Sequence, residues 1–231
     1  FPLISSNNLS QNIFLHLKHK NLFSDYLFKL KNKPSIRNNE LRSIICDKEL
    51  VKNYASKIIP DKFIVKSIDI LRNKSDLDNY KFPDNCCIKP THLSGKVLFK
   101  KKGISINKSE IENWFKINYY KLGREKTYKD LKPKVIIEQI IFNNTNIEDY
   151  KFFCYKGKVR FIQIDFNRHT NHKRLYLDEK WEILDFSIIY PRFDGDFVKP
   201  NNYLECNLLA EKLSYEFEFI RIDLYTNGNE I

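Results

Sequence analysis

No stretch constrains the fold of this chain as tightly as Asn85 to Gly103, NCCIKPTHLSGKVLFKKKG. An apolar run ends in Lys89-Pro90, a short loop carries Ser94-Gly95-Lys96, and a second apolar run, Val97-Leu98-Phe99, closes on Gly103. The pattern predicts a β-hairpin with a basic tip. The Ser94 hydroxyl and the free backbone of Gly95 would let consecutive N–H groups face one anion, with Lys89 and Lys96 supplying charge. A phosphate site and an ordinary solvated loop both remain open, because one glycine is a far weaker signal than a glycine-rich fingerprint.

The other bounds are looser. The chain has 231 residues, of which 42% are hydrophobic, enough to bury a substantial core in one large or two small α+β units. A net charge of +11 favours anionic partners, among them nucleic acid, anionic glycans, lipid head groups and nucleoside triphosphates, without choosing between them. Cys46, Cys86, Cys87, Cys154 and Cys206 form neither a C-x-x-C pair nor a disulfide-like spacing, so they read as small buried hydrophobes in a reducing compartment. No apolar run reaches transmembrane length and no signal-peptide layout is present, so a cytoplasmic protein is expected. The chain opens on Phe1 and contains no Met, as a fragment of a longer reading frame would.

In chain order, Leu9, Ile13, Phe14, Leu17, Leu22, Phe23, Tyr26, Leu27 and Leu30 recur at helical spacing up to Pro34 and predict a helical lead-in. Residues 47–58 read as a helix capped by Asp47, with Leu50, Val51, Tyr54 and Ile58 on its apolar face. Residues 63–71 suggest extended chain, and 74–80 a second short helix capped by Ser75 or Asp76. Asn107 or Ser109 can cap a helix bearing Ile111, Trp114, Phe115 and Ile117. In the loop that follows, aromatics interleave with Lys121, Arg124, Lys126 and Lys129, as in surfaces that stack bases and meet phosphates, or as in a core beneath a basic rim.

Residues 135–141, 150–155 and 159–166 predict a meander, with a turn at 143–146 and a tight turn at Lys156-Gly157. Glu138 inside its apolar strand is expected at an edge or facing solvent; at the strand's end it could also hold a ligand, or the next residues could offer backbone groups to one. His169 and His172 lack acidic or cysteine partners at metal spacing, so zinc is not expected. Arg168 and Arg174 could grip a carboxylate or phosphate, or belong to an exposed basic loop. A hairpin around Asp178-Glu179-Lys180 and a helix over 203–216 burying Leu204, Leu208, Leu209 and Leu213 follow. In the last strand, Asp223 sits amid apolar residues beside Arg221. Burying that carboxylate costs free energy unless a cation compensates, and magnesium would.

IKPTHLSGKV, WFKINYYKLGREKTY, KPKVIIEQI, DYKFFCYKGKVRFIQID, NRHTNHKR and FIRIDLY occur in the order and spacing of the TupA-like ATP-grasp family. The chain resembles that family, which is similar to a protein of teichuronopeptide synthesis, from Asp47 to Ile231. The resemblance implies an α+β, ATP-grasp-like fold whose two lobes hold ATP between antiparallel sheets with flanking helices. Its parts would be a helical lead-in at 1–46, an N-terminal and central lobe with the phosphate-lid hairpin at 47–134, and a C-terminal lobe at 135–231. The implied function is an ATP- and Mg²⁺-dependent carboxylate–amine ligase of cell-surface polysaccharide biosynthesis, taking a uronate-type glycan acceptor and an amine donor. Lys89 would contact the α- or β-phosphate, Ser94, Gly95 and Lys96 would close over the phosphates, and Glu138, Gln139 and Ile141 would form the adenine hinge. Lys151 would be a further nucleotide contact and Asp223 a Mg²⁺ ligand. Arg168, Arg174 and Arg221 would steady the acceptor carboxylate and the transferred phosphoryl group. Two departures are visible: Leu93 stands where a loop glycine is common, implying a stiffer lid, and the chain stops before the strand that carries the second metal ligand. The alternative is a non-catalytic basic module that binds nucleic acid or anionic glycan through Lys100 to Lys102, Arg124 and the Arg168 to Arg174 loop.

Overall fold

A computed structural model describes residues 23–37, 39–143, 147–168 and 170–231. The lead-in positions Leu9 to Leu22, His169 and part of the turn expected at 143–146 lie outside the described residues. The chain divides into two compact units, one containing residues 66–139 with the chain up to 54, the other residues 55–65 and 140–231.

The first unit begins with helices α1 (Phe23–Asn32), α2 (Pro34–Arg37) and α3 (Glu40–Ile44). Pro34 opens α2 as well as following α1, since a first helical position needs no N–H. The expected helix at 47–58 is shorter, α4 (Leu50–Ala55), yet Asp47 does cap it: Oδ1 accepts from the Glu49 and Leu50 amides at 2.8 and 3.1 Å. Strands β1 (Ser67–Leu71), β2 (Cys86–Pro90), β3 (Leu98–Lys100) and β4 (Val135–Gln139) form an antiparallel sheet in the order β1-β4-β2-β3. The hairpin is present, with Cys86, Cys87 and Ile88 opposite Lys100, Phe99 and Leu98. Residues 74–80 make only a 3₁₀ turn, Lys74–Leu77, capped by Asn73 in a capping box with Asp76, because Asn73 precedes the turn with an extended backbone.

Strand alternation divides the β2 and β4 side chains between two faces. Ile88, Val135 and Ile137 pack with Leu71, Leu77 and Trp114 of α5 (Lys108–Lys116), which Asn107 caps. Trp114 is buried, which settles the aromatic–basic stretch in favour of core at that residue. Leu93 belongs to the same core: it anchors the base of the loop from inside, and the loop tip itself is exposed. Helix α6 (Tyr119–Gly123) follows α5. β4 lies in the interior of this first sheet, although the sequence places it at the start of the second lobe.

The second unit is built on β5 (Asp149–Tyr155), β6 (Lys158–Phe166), β7 (Lys173–Asp178) and β8 (Phe219–Tyr225), antiparallel in the order β7-β6-β5-β8. Lys156 and Gly157, with φ of 48° and 73°, make the tight turn whose twist matches the paired strands. Phe152, Ile162, Ile164, Leu175 and Leu177 face helix α7 (Tyr203–Ser214), which returns Tyr203, Cys206, Leu209 and Ala210. The expected buried face of α7 is corrected here. Leu204 and Leu208 are 72% and 58% exposed, since the 203/206/210 row, set by the helical repeat, already fills the contact with the sheet. Leu209→Ala should therefore cost about 2–5 kcal/mol in urea unfolding, whereas Leu208→Ser should stay within about 0.5 kcal/mol.

Candidate functional site

In the first unit, the face of β2 and β4 turned away from the core carries Lys89 and Glu138. Glu138 is 4% exposed on an interior strand, contrary to the expected edge or solvent-facing position. It is tolerated there because its two oxygens meet two lysines, Lys89 at 2.9 Å and Lys52. Burial works to raise the Glu138 pKa, but these two ammonium groups outweigh it and hold the carboxyl below its usual range. Gln139 is exposed and its amide donates to the Lys66 carbonyl at 3.4 Å; Ile141 opens the short 3₁₀ turn Ile141–Asn143 of the second unit.

Lys48 was not singled out by the sequence. Its ammonium donates to the Pro90 carbonyl at 2.7 Å and to that of Leu93, so it grips the base of the loop. Burial first, and repulsion from Lys89 second, push its pKa down to about 8. The neighbouring Asp47 is fully buried, taking the Thr91 hydroxyl at 2.9 Å and the Lys134 ammonium at 3.2 Å. The Thr91 amide in turn donates to the Lys134 carbonyl at 2.9 Å. These bonds fix the loop's entry, while Ser94, Gly95 and Lys96 at its tip are exposed and Gly95 holds a φ of +74° that disfavours other residues.

In the second unit, the sheet face opposite α7 is polar. Asp149 and Lys151 on β5, Gln163 and Asp165 on β6, Arg174 and Tyr176 on β7, and Arg221 and Asp223 on β8 are all at alternate positions, and their register brings them together. Lys151, 4% exposed, bridges Asp149 and, at 2.6 Å, Asp165. Asp165 also takes Arg174 Nε at 2.5 Å and Gln163 Nε2 at 3.2 Å. His172 Nε2 lies 3.1 Å from it without hydrogen-bond geometry. Burial alone would raise the Asp165 pKa; Arg174 and Lys151 reverse that and hold it far below the usual range. Arg168 reaches Asp149 at 2.6 Å. Burial, and then the charge of Asp223, raise the Asp149 pKa despite Lys151 and Arg168.

Asp223 differs from expectation. Its side chain is 41% exposed, and Arg221 holds it through two parallel bonds of 2.6 and 2.7 Å. The deeply buried acids are Asp149 and Asp165 instead, because a polar face runs across the whole sheet and only its centre is covered. The signal that could have found them is the period-two recurrence of polar residues, Asp149-x-Lys151, Gln163-x-Asp165 and Arg221-x-Asp223. Among the described residues no group of three His, Cys, Asp or Glu could hold a metal. Asp149 and Asp223 influence one another as like charges, but Lys151 and Arg168 already meet Asp149 and Arg221 holds Asp223 through two bonds, so a cation binding there would exchange with these partners.

With that geometry in view, the chain belongs to the TupA-like ATPgrasp family, whose profile matches residues 26–231. No curated protein matches the chain. Among solved structures it is similar to an L-amino acid ligase from Bacillus licheniformis, at 12% identity and a TM-score of 0.44, covering 81% of this chain and 41% of that one. It is also similar to a D-alanine-D-alanine ligase from Helicobacter pylori, at 20% identity and a TM-score of 0.37, covering 81% and 52%. A D-alanine–D-alanine ligase from Bacillus anthracis, solved with ATP, gives 18%, a TM-score of 0.37, and coverages of 82% and 55%. The chain thus spans about half the length of these proteins.

Two outcomes follow from the charges. The folded protein releases the Lys48 proton near pH 8 and the unfolded chain near 10.5, so between these values the unfolded state binds more protons and stability rises with pH. Urea unfolding over a pH series should show the wild type gaining stability relative to Lys48→Met across that window. Asp165→Asn strands Lys151 and Arg174 and should cost about 3–5 kcal/mol at pH 7. The depressed Asp165 pKa means that its contribution is complete above the unfolded value of about 3.9 and is lost as pH falls below it.

Proposed function

We propose that the protein is a cytoplasmic carboxylate–amine ligase that uses ATP and Mg²⁺ and acts in cell-surface polysaccharide biosynthesis on a uronate-type acceptor. The observation that carries this reading is the polar face of the second sheet. A chain of the ATP-grasp family keeps three aspartates, a lysine and three arginines together there, with Asp223 and Arg168 open to solvent. A fold needs no such face for stability, because buried ion pairs are poor stabilisers compared with packed apolar groups.

In this reading the acceptor carboxylate attacks the γ-phosphorus of ATP, the bond to ADP breaks, and an acylphosphate forms; the amine then attacks the acyl carbon and phosphate leaves. Lys89, with Lys48 beside it, meets the nucleotide phosphates, and Glu138 orients Lys89 and Lys52 while the backbone from Gln139 to Ile141 offers groups to adenine. Ser94, Gly95 and Lys96 close over the phosphates as a tip hinged on the buried Leu93. Lys151, expected to be a nucleotide contact, is instead buried between Asp149 and Asp165 and holds these two carboxylates in place. Bound Mg²⁺, held by Asp223 with Asp149, would neutralise phosphate charge. Arg168 and Arg174 take the acceptor carboxylate, and Arg221 holds Asp223 in place and balances charge building on the transferred phosphoryl group.

Thermal unfolding with and without ATP and Mg²⁺ tests this. Ligand at a hundred times its Kd adds about 2.7 kcal/mol, which raises Tm by roughly 5–10 °C in a protein of this size. The rise should require Mg²⁺ and should vanish both in Lys89→Ala and in Asp223→Asn. A shift that survives both substitutions would overturn the assignment.

A further inference from the structure

The segment after β7 joins the polar face of the second sheet to an apolar surface. It is tied to β7 at both ends: the Leu184 amide donates to the Tyr176 carbonyl at 2.8 Å, and the Arg174 backbone pairs with Pro191 and Phe193 at 2.9 and 3.0 Å. β7 is the edge strand, and Tyr176 and Arg174 belong to the polar face, so residues 184–191 form a strap along the outer margin of that face. Two rings of the strap pack on this margin. Phe186 stacks on Tyr176 with centroids 4.5 Å apart, and Tyr190 stacks on His172 at 3.6 Å, with the Arg174 guanidinium 4.8 Å from the Tyr190 ring.

The rest of the strap is apolar and uncovered. Ile183, Phe186, Ile188, Ile189 and Tyr190 are 36% to 71% exposed, five large side chains among eight residues, although both ends are held. Ile189 also keeps a φ of +71°, which is costly for a β-branched residue. The one charge within residues 183–190 is Asp185, and Arg192 pairs with it at 2.8 Å. Apolar surface clustered in this way marks binding. A cation open to solvent belongs to the same margin: Phe166 pairs with Lys173, so Arg168 and His172 sit in the one turn that joins β6 to β7.

We propose that the strap recognises an apolar group attached to the acceptor carboxylate, so that the substrate is an amphipathic carboxylate. This rests on the reading of Arg168 and Arg174 as the acceptor's anchors, and it gives a uronate-type acceptor an apolar substituent. The carboxylate pairs with Arg168, and the apolar group lies over Ile188 and the outer face of Tyr190. Because the strap is fixed at both ends, little ordering cost opposes the contact. A second copy of the chain would cover the same residues without any call on Arg168, and that difference is measurable.

The test labels the isoleucine δ1 methyl groups with ¹³C in the full chain and follows Ile188 and Ile189 by NMR, each assigned by its loss in Ile188→Val or Ile189→Val. Butanoate, hexanoate and the uncharged hexanamide are titrated without nucleotide. Saturable shifts with a Kd on the order of 1 mM are expected for hexanoate. Full burial of a methylene is worth about fourfold in affinity and a one-sided contact about twofold, so hexanoate should bind about fourfold tighter than butanoate. Hexanamide, and hexanoate with Arg168→Ala, should each bind about fivefold more weakly, as befits an ion pair near the surface. Equal affinities for hexanoate and hexanamide, equal affinities for hexanoate and butanoate, or no shift at all would overturn the proposal. So would methyl shifts that follow protein concentration and not ligand, which would place a second copy on the strap. The expected hexanoate shifts in a protein that ATP and Mg²⁺ fail to stabilise would support the strap site and sink the ligase reading alone.

Discussion

The second unit depends on one buried carboxylate. Asp165 is 1% exposed, yet it stays ionised because Lys151 and Arg174, on the two strands flanking its own, both donate to it. Three strands are thereby tied together through a single side chain, and the register that aligns them also fixes the rest of the polar face. Arg174 extends the tie outward. Its guanidinium donates to the Ile188 carbonyl at 3.2 Å and lies 4.8 Å from the Tyr190 ring, while its backbone pairs with Pro191 and Phe193, so the segment after β7 docks on the same residue. The energetic reason is mutual: a lone buried charge of either sign would be costly, and each is retained because the others are.

The first unit repeats this logic with lysines in the majority. Asp47 and Glu138 are two of its buried acids, and Lys134, Lys52 and Lys89 answer them. Lys48 is the exception, an ammonium that donates to backbone carbonyls; burial first, and then repulsion from Lys89, lower its pKa. These two ammonium groups lie beside an exposed loop, and Glu138 and Asp47 partly offset their repulsion. The opposite imbalance occurs in the second unit, where Asp149 and Asp223 repel.

Much of this was legible in the residues. The hairpin at 86–100, the capping roles of Asp47 and Asn107, and the pairing of β5 with β6 through the Lys156-Gly157 turn all rest on local chemistry, and local chemistry is what a sequence displays. The expected meander of 135–141 with these two strands does not form, because β4 pairs with β1 and β2 in the first sheet. The family match rests on several ordered blocks and reaches residue 231. Exposure was read less well. The apolar neighbours of Asp223 suggest a buried setting, but on a strand those neighbours point to the opposite face; Leu204 and Leu208 look internal by type, though the helix repeat turns them out. Asp149, Asp165 and Lys48 do not stand out in the sequence, because each is unremarkable beside its neighbours.

By itself the sequence determined the strands, the caps, the turns and the family, because these depend on residues a few positions apart or on a pattern spread along the chain. Only the tertiary structure decided which charges meet. Lys151 and Asp165 are separated by a β-turn, Arg174 reaches Asp165 across a further loop, and Lys89 finds Glu138 from a strand 49 residues away. Whether a carboxylate in such a place is ionised, raised or depressed depends on distances of 2.5 to 3 Å between partners that strand register brings side by side, and that register is a property of the folded sheet.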